Sequence, residues 1–342
     1  MADSLALGCA AMSTVPVSIV RGGTSRAVFL PMSELPADPA ARDELCLRLI
    51  GSPDPVAVDG LGGGVSSNSK VMFVGPATSP GADLESLFAQ VSPAERDVDW
   101  AGNCGNISAA VSAYALDEGM LRLRGRQADV RVRNLNTGSV FELSHPLLDG
   151  RLSPAGDFRL DGVPGTAARI DVRFLRPGGS VTGARLSGFE ATLIDVANPV
   201  VILRAADLGV DAGTGPAELN ADAGLLARLE ELRAEGARAM GLAPSRVVPR
   251  VALVAPGGDG CLLARMTSVG RVHHALPGTG LLALGAAVAL GGSVIDLPPA
   301  PETVIRHPKG QATVSAQVLD GRLEWVALAR SARIILRGEA SL

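Results

Sequence analysis

Apolar and polar positions alternate along this chain with two periods, and each period predicts a type of element. Short apolar stretches bounded by turn residues read as strands over Val15–Val20, Ala27–Leu30, Val71–Val74 and Leu87–Val91. Residues 38–50 read as a helix, with Leu45, Leu47, Leu49 and Ile50 supplying its apolar surface. The turn Gly102-Asn103-Cys104-Gly105-Asn106 runs into Ile107–Leu116, a helix of small residues closed near Gly119. From 120 to 175 the pattern is strand-like around turns at Asp149-Gly150 and Asp161-Gly162.

The second half repeats the plan. Strands at Ala191–Ile194 and Val200–Leu203 precede an amphipathic helix from about Ala221 to Met240, with Leu225, Leu226, Leu229, Leu232 and Met240 at helical spacing. Strands Arg250–Ala255 and Cys261–Thr267 lead to Pro277-Gly278-Thr279-Gly280, which launches a second small-residue helix over Leu281–Leu290. Strands at Trp325–Leu328 and Ala332–Leu336 close the chain. Two buried helices, each reached through a glycine turn and preceded by strands, predict two related halves.

Composition narrows what such halves can do. The chain has 342 residues, 47% of them hydrophobic and 19% charged, enough for a two-domain core and far from the disordered regime. Lysine and arginine total 31 against 35 acidic residues, a net charge of −4, and no basic cluster is interleaved with aromatics. A nucleic-acid surface is therefore not expected. Leu5–Cys9 lacks a basic flank for a signal peptide, and the apolar run Leu281–Ile295 is too short to span a bilayer. Neither membrane nor export is expected. Cys9, Cys46, Cys104 and Cys261 lie far apart without CxxC spacing, which predicts reduced thiols in a cytoplasm and no structural zinc.

Cys104 stands where a helix begins, and unpaired N–H groups there favour an anion, so its thiol could exchange protons near neutrality. The alternative is a small core residue behind a turn. The second helix start, at Gly278–Gly280, offers further N–H donors, and a cleft between the two would suit a di- or tricarboxylate. Ser66-Ser67-Asn68-Ser69-Lys70 is not a Walker A loop; it holds hydroxyls and an amine that acts either as a tuned base or as a solvated surface lysine. Arg21, beside Gly22-Gly23, either forks onto a carboxylate or decorates a hairpin. His273 and His274 are expected to point to opposite faces, with at least one structural. Cys9, Cys46 and Cys261 read as packing residues.

Together these segments resemble the PrpF family of 2-methylaconitate isomerases. The resemblance is carried by Arg21-Gly22-Gly23-Thr24-Ser25, Gly51–Pro55, Asp59–Gly63, Ser69-Lys70 and Asp99–Asn106, then by Gly156–Phe158, Asp161–Gly165, His273-His274, His307-Pro308 and Arg330–Arg333. It spans nearly the whole chain. It implies an α+β, diaminopimelate epimerase-like fold: two pseudo-symmetric domains, each a curved, mostly antiparallel sheet around a central helix. The first half would cover 1–183, completed by strands at about 330–342, and the second 184–329.

The resemblance assigns acid–base roles to Lys70 and Cys104. Diaminopimelate epimerases carry a cysteine at each helix start, whereas Pro277-Gly278-Thr279-Gly280 has none, which weighs against a two-cysteine epimerase. Arg26 departs from the lysine common after this motif, and no function attaches to it. The reading is a cofactor-independent, metal-free isomerase that moves a C=C bond in an unsaturated tricarboxylate such as 2-methylaconitate. Lys70 is the first choice as base and Cys104 as acid, with swapped roles open. Backbone N–H groups of Gly105, Asn106, Thr279 and Gly280 would hold carboxylates, helped by Arg21, Thr24, Ser25, Ser67 and Ser69, with Asn103 and Asn198 as further candidates. 4-Oxalomesaconate tautomerase, aconitate isomerase and a non-catalytic accessory protein of a dehydratase are the alternatives; a homodimer is the candidate assembly.

Overall fold

The computed structural model describes residues 14–342; Cys9 and the Leu5–Cys9 stretch lie outside the described residues. The first half contains β1 (Thr14–Gly22), β2 (Ser25–Pro31), α1 (Pro39–Ile50), β3 (Lys70–Pro76), β4 (Leu84–Val91) and β5 (Val98–Asp99). It continues through α2 (Gly105–Ser108), α3 (Val111–Asp117), β6 (Gln127–Asn134), β7 (Val140–Leu148), β8 (Arg151–Leu152) and β9 (Ile170–Leu175). The second half contains β10 (Thr182–Leu186), β11 (Phe189–Val196), β12 (Asn198–Arg204), α4 (Pro216–Ala221), α5 (Ala223–Ala239), β13 (Arg250–Pro256) and β14 (Leu262–Ser268). It ends with β15 (Arg271–Val272), α6 (Gly278–Leu290), β16 (Glu302–His307), β17 (Gly310–Leu319) and β18 (Arg322–Arg330), after which β19 (Ala332–Ser341) returns to pair with β1 of the first half.

The principal strands form one continuous, mostly antiparallel arc in the order β19-β1-β2-β3-β4-β6-β7-β9-β18-β17-β16-β14-β13-β12-β11-β10. Pairing sense repeats between the halves. The parallel pairs β2–β3 and β4–β6 correspond to β12–β13 and β14–β16. In each half a helix (α1 or α5) crosses over the first parallel pair, and the central helix follows the antiparallel pair after it. This makes Lys70, first residue of β3, and Arg250, first residue of β13, equivalent positions. We propose the divide between the halves in the connection 176–181, because a boundary at 183 falls inside β10.

Local chemistry explains the elements. Asp38 caps α1 by accepting from Ala41 N at 2.8 Å, Pro39 opens it, and Gly51 ends it in the left-handed region. Asp222 caps α5 through Leu225 N, and Leu225, Leu229 and Leu232 face the sheet. The central helices have no polar face: Gly278–Val288 is buried throughout, as is Val111–Leu116, so each is sealed inside its sheet. A Cβ on Gly285 would lie 2.4 Å from a Val314 methyl, so only glycine lets β17 come this close.

The expected single helix over Ile107–Leu116 is two segments. Ala110 N bonds Ile107 O rather than Asn106 O, a tightened step at the Ala109-Ala110 junction. Gly22 packs directly on the Asn106 carbonyl of the first segment. Within 120–175, alternation holds in β6, β7 and β9, but 153–169 is irregular apart from the Phe158–Ala167 bridge. No helix among the described residues is long and apolar enough to cross a membrane.

Candidate active site

The starts of the two central helices meet. A Cβ on Gly105 would lie 2.9 Å from Thr279 N, and one on Gly278 would lie 2.8 Å from both Asn106 N and Gly105 C. Backbone touches backbone, which only glycine permits. Gly278→Ala should therefore push the helix starts apart, costing about 1–3 kcal/mol of stability as an overpacking change, together with most of the turnover. Thermal denaturation of the variant checks this; an unchanged midpoint would mean the helix starts are not in contact.

Asparagines stitch the junction. Asn103 N donates to Asn198 Oδ1 at 2.8 Å, and Asn198 Nδ2 returns a bond to Asn103 O at 2.8 Å. Asn198 Nδ2 also reaches Thr279 Oγ1 at 3.4 Å, and Asn103 Oδ1 accepts from Cys104 N and from Ser108 Oγ. Asn103 Nδ2 is buried without a partner. On the other side, Asn106 Nδ2 donates to Thr24 Oγ1 at 3.1 Å. Gly22 and Gly23 both press on Asn106 with no room for a Cβ, which is the physical content of the Arg21–Ser25 turn.

Cations gather around Cys104. Lys70, Arg250 and Arg330 are 4%, 3% and 3% exposed, so their charges are withdrawn from water. Their partners are neutral: Lys70 Nζ donates to Gln90 Oε1, Arg250 Nη1 to Thr279 Oγ1 at 2.5 Å, and Arg330 to Asn106 Oδ1 at 2.9 Å and Ala329 O at 2.8 Å. None of the three enters an ion pair among the described residues. Arg250 Nε and Ser69 Oγ are buried without partners. Burial lowers the Lys70 amine to about 8; the neighbouring Cys104 opposes that shift and Arg250 adds to it. Burial likewise pulls Arg250 and Arg330 below the ordinary guanidinium value, opposed again by Cys104. One sulfur is thus within electrostatic reach of three buried cations.

The expectation that His273 and His274 point to opposite faces is overturned. Residues 273–274 follow β15 rather than lying in a strand, and their rings stack with centroids 4.4 Å apart. His273 Nδ1 accepts from Ala275 N at 3.0 Å, leaving Nε2 to carry the proton of the neutral ring. Burial, His274, Lys70 and Arg250 hold His273 well below its usual value, and burial, Lys309 and Lys70 lower His274. His273 is buried, whereas His274 is exposed.

Of the residues singled out in the sequence, Lys70, Ser69, Asn103, Cys104, Gly105, Asn106, Asn198, Thr279 and Thr24 come together at this junction. Gly280 packs on Met266, where a Cβ would lie 2.2 Å from the sulfur. Ser67 is buried, and its carbonyl holds Arg26 N at 2.9 Å. Ser25 is buried at the start of β2. Arg21 stands apart: its Nη1 donates to Gly23 O at 3.0 Å and Ser331 O at 2.9 Å, beside Arg333. The two helix starts are in backbone contact at Gly105 and Gly278, so no space passes between those two residues. Sequence reasoning gave no site role to Arg250, Arg330 and Gln90, although Arg330 opens the Arg330–Arg333 segment; for Arg250 the available signal was a lone arginine opening the apolar run of β13. Among the described residues no group of three or more His, Cys, Asp or Glu could hold a metal ion.

The family model described as PrpF protein matches residues 12–342. A protein named 2-methyl-aconitate isomerase from Shewanella oneidensis is 34% identical, over 95% of this chain and 96% of that one. One named 4-oxalomesaconate tautomerase from Pseudomonas putida is 36% identical, over 95% of each. The crystal structure of a methylitaconate-delta-isomerase superposes with TM-score 0.74 at 33% identity, covering 96% of this chain and 95% of that one. A hydroxyproline epimerase from Agrobacterium vitis shares the fold alone, with TM-score 0.64 at 15% identity over 96% of this chain and 93% of that one.

Proposed function

The chain belongs to the PrpF family, and from that premise we propose that it is an acid–base isomerase that moves a C=C bond in an unsaturated tricarboxylate such as 2-methylaconitate. The observation that carries this reading is the cluster of Lys70, Arg250 and Arg330, buried without a carboxylate partner around the Cys104 thiol. Buried cations without counter-ions are costly, and a multiply charged anion relieves that cost.

In the reaction, neutral Lys70 takes the allylic proton: a C–H bond breaks and an N–H bond forms. The electron pair delocalises as a dienolate into the adjacent carboxylate, which Arg250 and Arg330 stabilise as charge develops. Cys104 then returns a proton from its thiol to carbon, at another position or after rotation about the bond that has become single. The cycle ends with Lys70 protonated and Cys104 as thiolate, and one proton passing from nitrogen to sulfur resets both. The asparagine network holds Cys104 and Thr279 in place for these transfers.

Purified protein alone, incubated in deuterated water with a panel of unsaturated tricarboxylates, tests the reading by NMR. Deuterium is expected at the allylic carbon of at least one of them, at a rate set by enzyme concentration. An absence of exchange across the panel would favour a non-catalytic accessory role.

A further inference from the structure

A cavity of about 1000 Å³ lies apart from the Lys70–Cys104 cluster, between β19, the end of α3 and the segments 148–154 and 158–167. Its charged lining is unbalanced. Arg151 and Arg337 both pair with Asp117, whereas Arg21 and Arg333 enter no ion pair among the described residues. These two arginines are directly opposite one another in the β1–β19 ladder, so their side chains share a face a few ångströms apart. Like charges so placed repel, and Arg333, together with burial, holds Arg21 below its ordinary value. The rest of the wall is mixed: Asp149, Ser153, Thr166 and Ser331 are polar, while Phe158, Val163 and Ile335 form an apolar side, with Ile335 still 45% exposed.

An anionic head between Arg21 and Arg333 would remove their repulsion, and a hydrocarbon body would cover the exposed apolar wall. We propose that this cavity is a second ligand site, distinct from the catalytic cluster, that takes an amphipathic monocarboxylate: its carboxylate bridges Arg21 and Arg333 and its carbon chain lies against Phe158, Val163 and Ile335. Two guanidinium groups on one carboxylate give charge-assisted bonds, which sets the head-group preference. Burial of apolar area sets the dependence on chain length.

Calorimetric titration with octanoate tests it, using octanol and acetate as controls that lack the charge or the chain. Octanoate is expected to bind at least tenfold more tightly than either control. Arg333→Ala should weaken octanoate at least tenfold while leaving turnover at the wild-type rate. Ile335→Glu should weaken it similarly by placing a carboxylate beside the arginines. Lys70→Ala should leave octanoate binding unchanged, which separates this site from the acid–base reading above. Three outcomes would each overturn the proposal: no octanoate binding at millimolar concentration, binding indifferent to Arg333→Ala, or displacement of octanoate by a tricarboxylate substrate.

Discussion

Lys70→Ala is expected to lower turnover at least 100-fold while leaving the protein as stable as before or more so. The catalytic loss follows from removing a positioned base, which contributes roughly 10²–10⁴-fold. The stability effect follows from the sign of the pKa shift. The folded amine titrates at about 8 against 10.5 for an ordinary lysine, so the unfolded chain binds more protons between those values. Stability of the wild type therefore rises with pH through that window, and below it the full cost of the buried charge is present, of order 3 kcal/mol. Lys70→Met, which keeps the volume and drops the charge, should at pH 7 melt at a higher temperature than wild type, offset in part by the stranded Gln90 Oε1. Wild-type turnover should climb about tenfold per pH unit up to about 8 and level off above it, because only the neutral amine accepts a proton. Near-wild-type turnover in Lys70→Ala, or a flat profile between pH 6 and 8, would remove Lys70 as the base.

Much of this site was legible from short-range pattern, and what was not depends on long-range pairing. The glycine turns before α2 and α6 announce two buried helices because a helix start needs its N–H groups free and an apolar helix needs a surrounding sheet. Lys70 and Cys104 stand out because each interrupts a run of small or polar residues just before a regular element. Arg250 carries no such local mark, and Arg330 is marked only by the Arg330–Arg333 segment of the family resemblance, with no role attached. Arg250 opens β13 and Arg330 ends β18, strands whose sequences read as ordinary sheet, and only the arc that brings both strand ends to the helix junction makes them part of one cluster. The pairing of Gln90 with Lys70 is likewise a register property, since the two are cross-strand partners of β3 and β4. The histidine pair misled for a related reason: alternation predicts opposite faces only inside a strand, and β15 stops at Val272, one residue short of the pair.

Cys104 should be alkylated by iodoacetamide at least ten times faster than Cys46 or Cys261, and a bound tricarboxylate should slow that reaction. The three described thiols are all buried but face different surroundings. Cys46 is enclosed in the α1 core, where burial and Asp43 push its thiol upward, and it stays protonated and inaccessible. Cys261 donates its Sγ hydrogen to Gly258 O at 3.1 Å behind a turn. Cys104 instead lies within electrostatic reach of Lys70, Arg250 and Arg330, the groups that a substrate carboxylate would occupy. A ligand seated there covers the sulfur and competes for the same cations, so protection should follow ligand affinity. Cys104→Ser keeps a hydrogen-bonding group of similar size but replaces the thiol with an alcohol that gives up its proton far less readily. That variant should bind the tricarboxylate with wild-type affinity and turn over at least tenfold more slowly, a change in kcat rather than KM. Mass spectrometry of partly alkylated protein, in a Cys9→Ser background and with or without ligand, reads the rates peptide by peptide. Labelling that favours Cys46 or Cys261, or that no tricarboxylate slows, would make Cys104 a packing residue and leave Lys70 to handle both proton transfers.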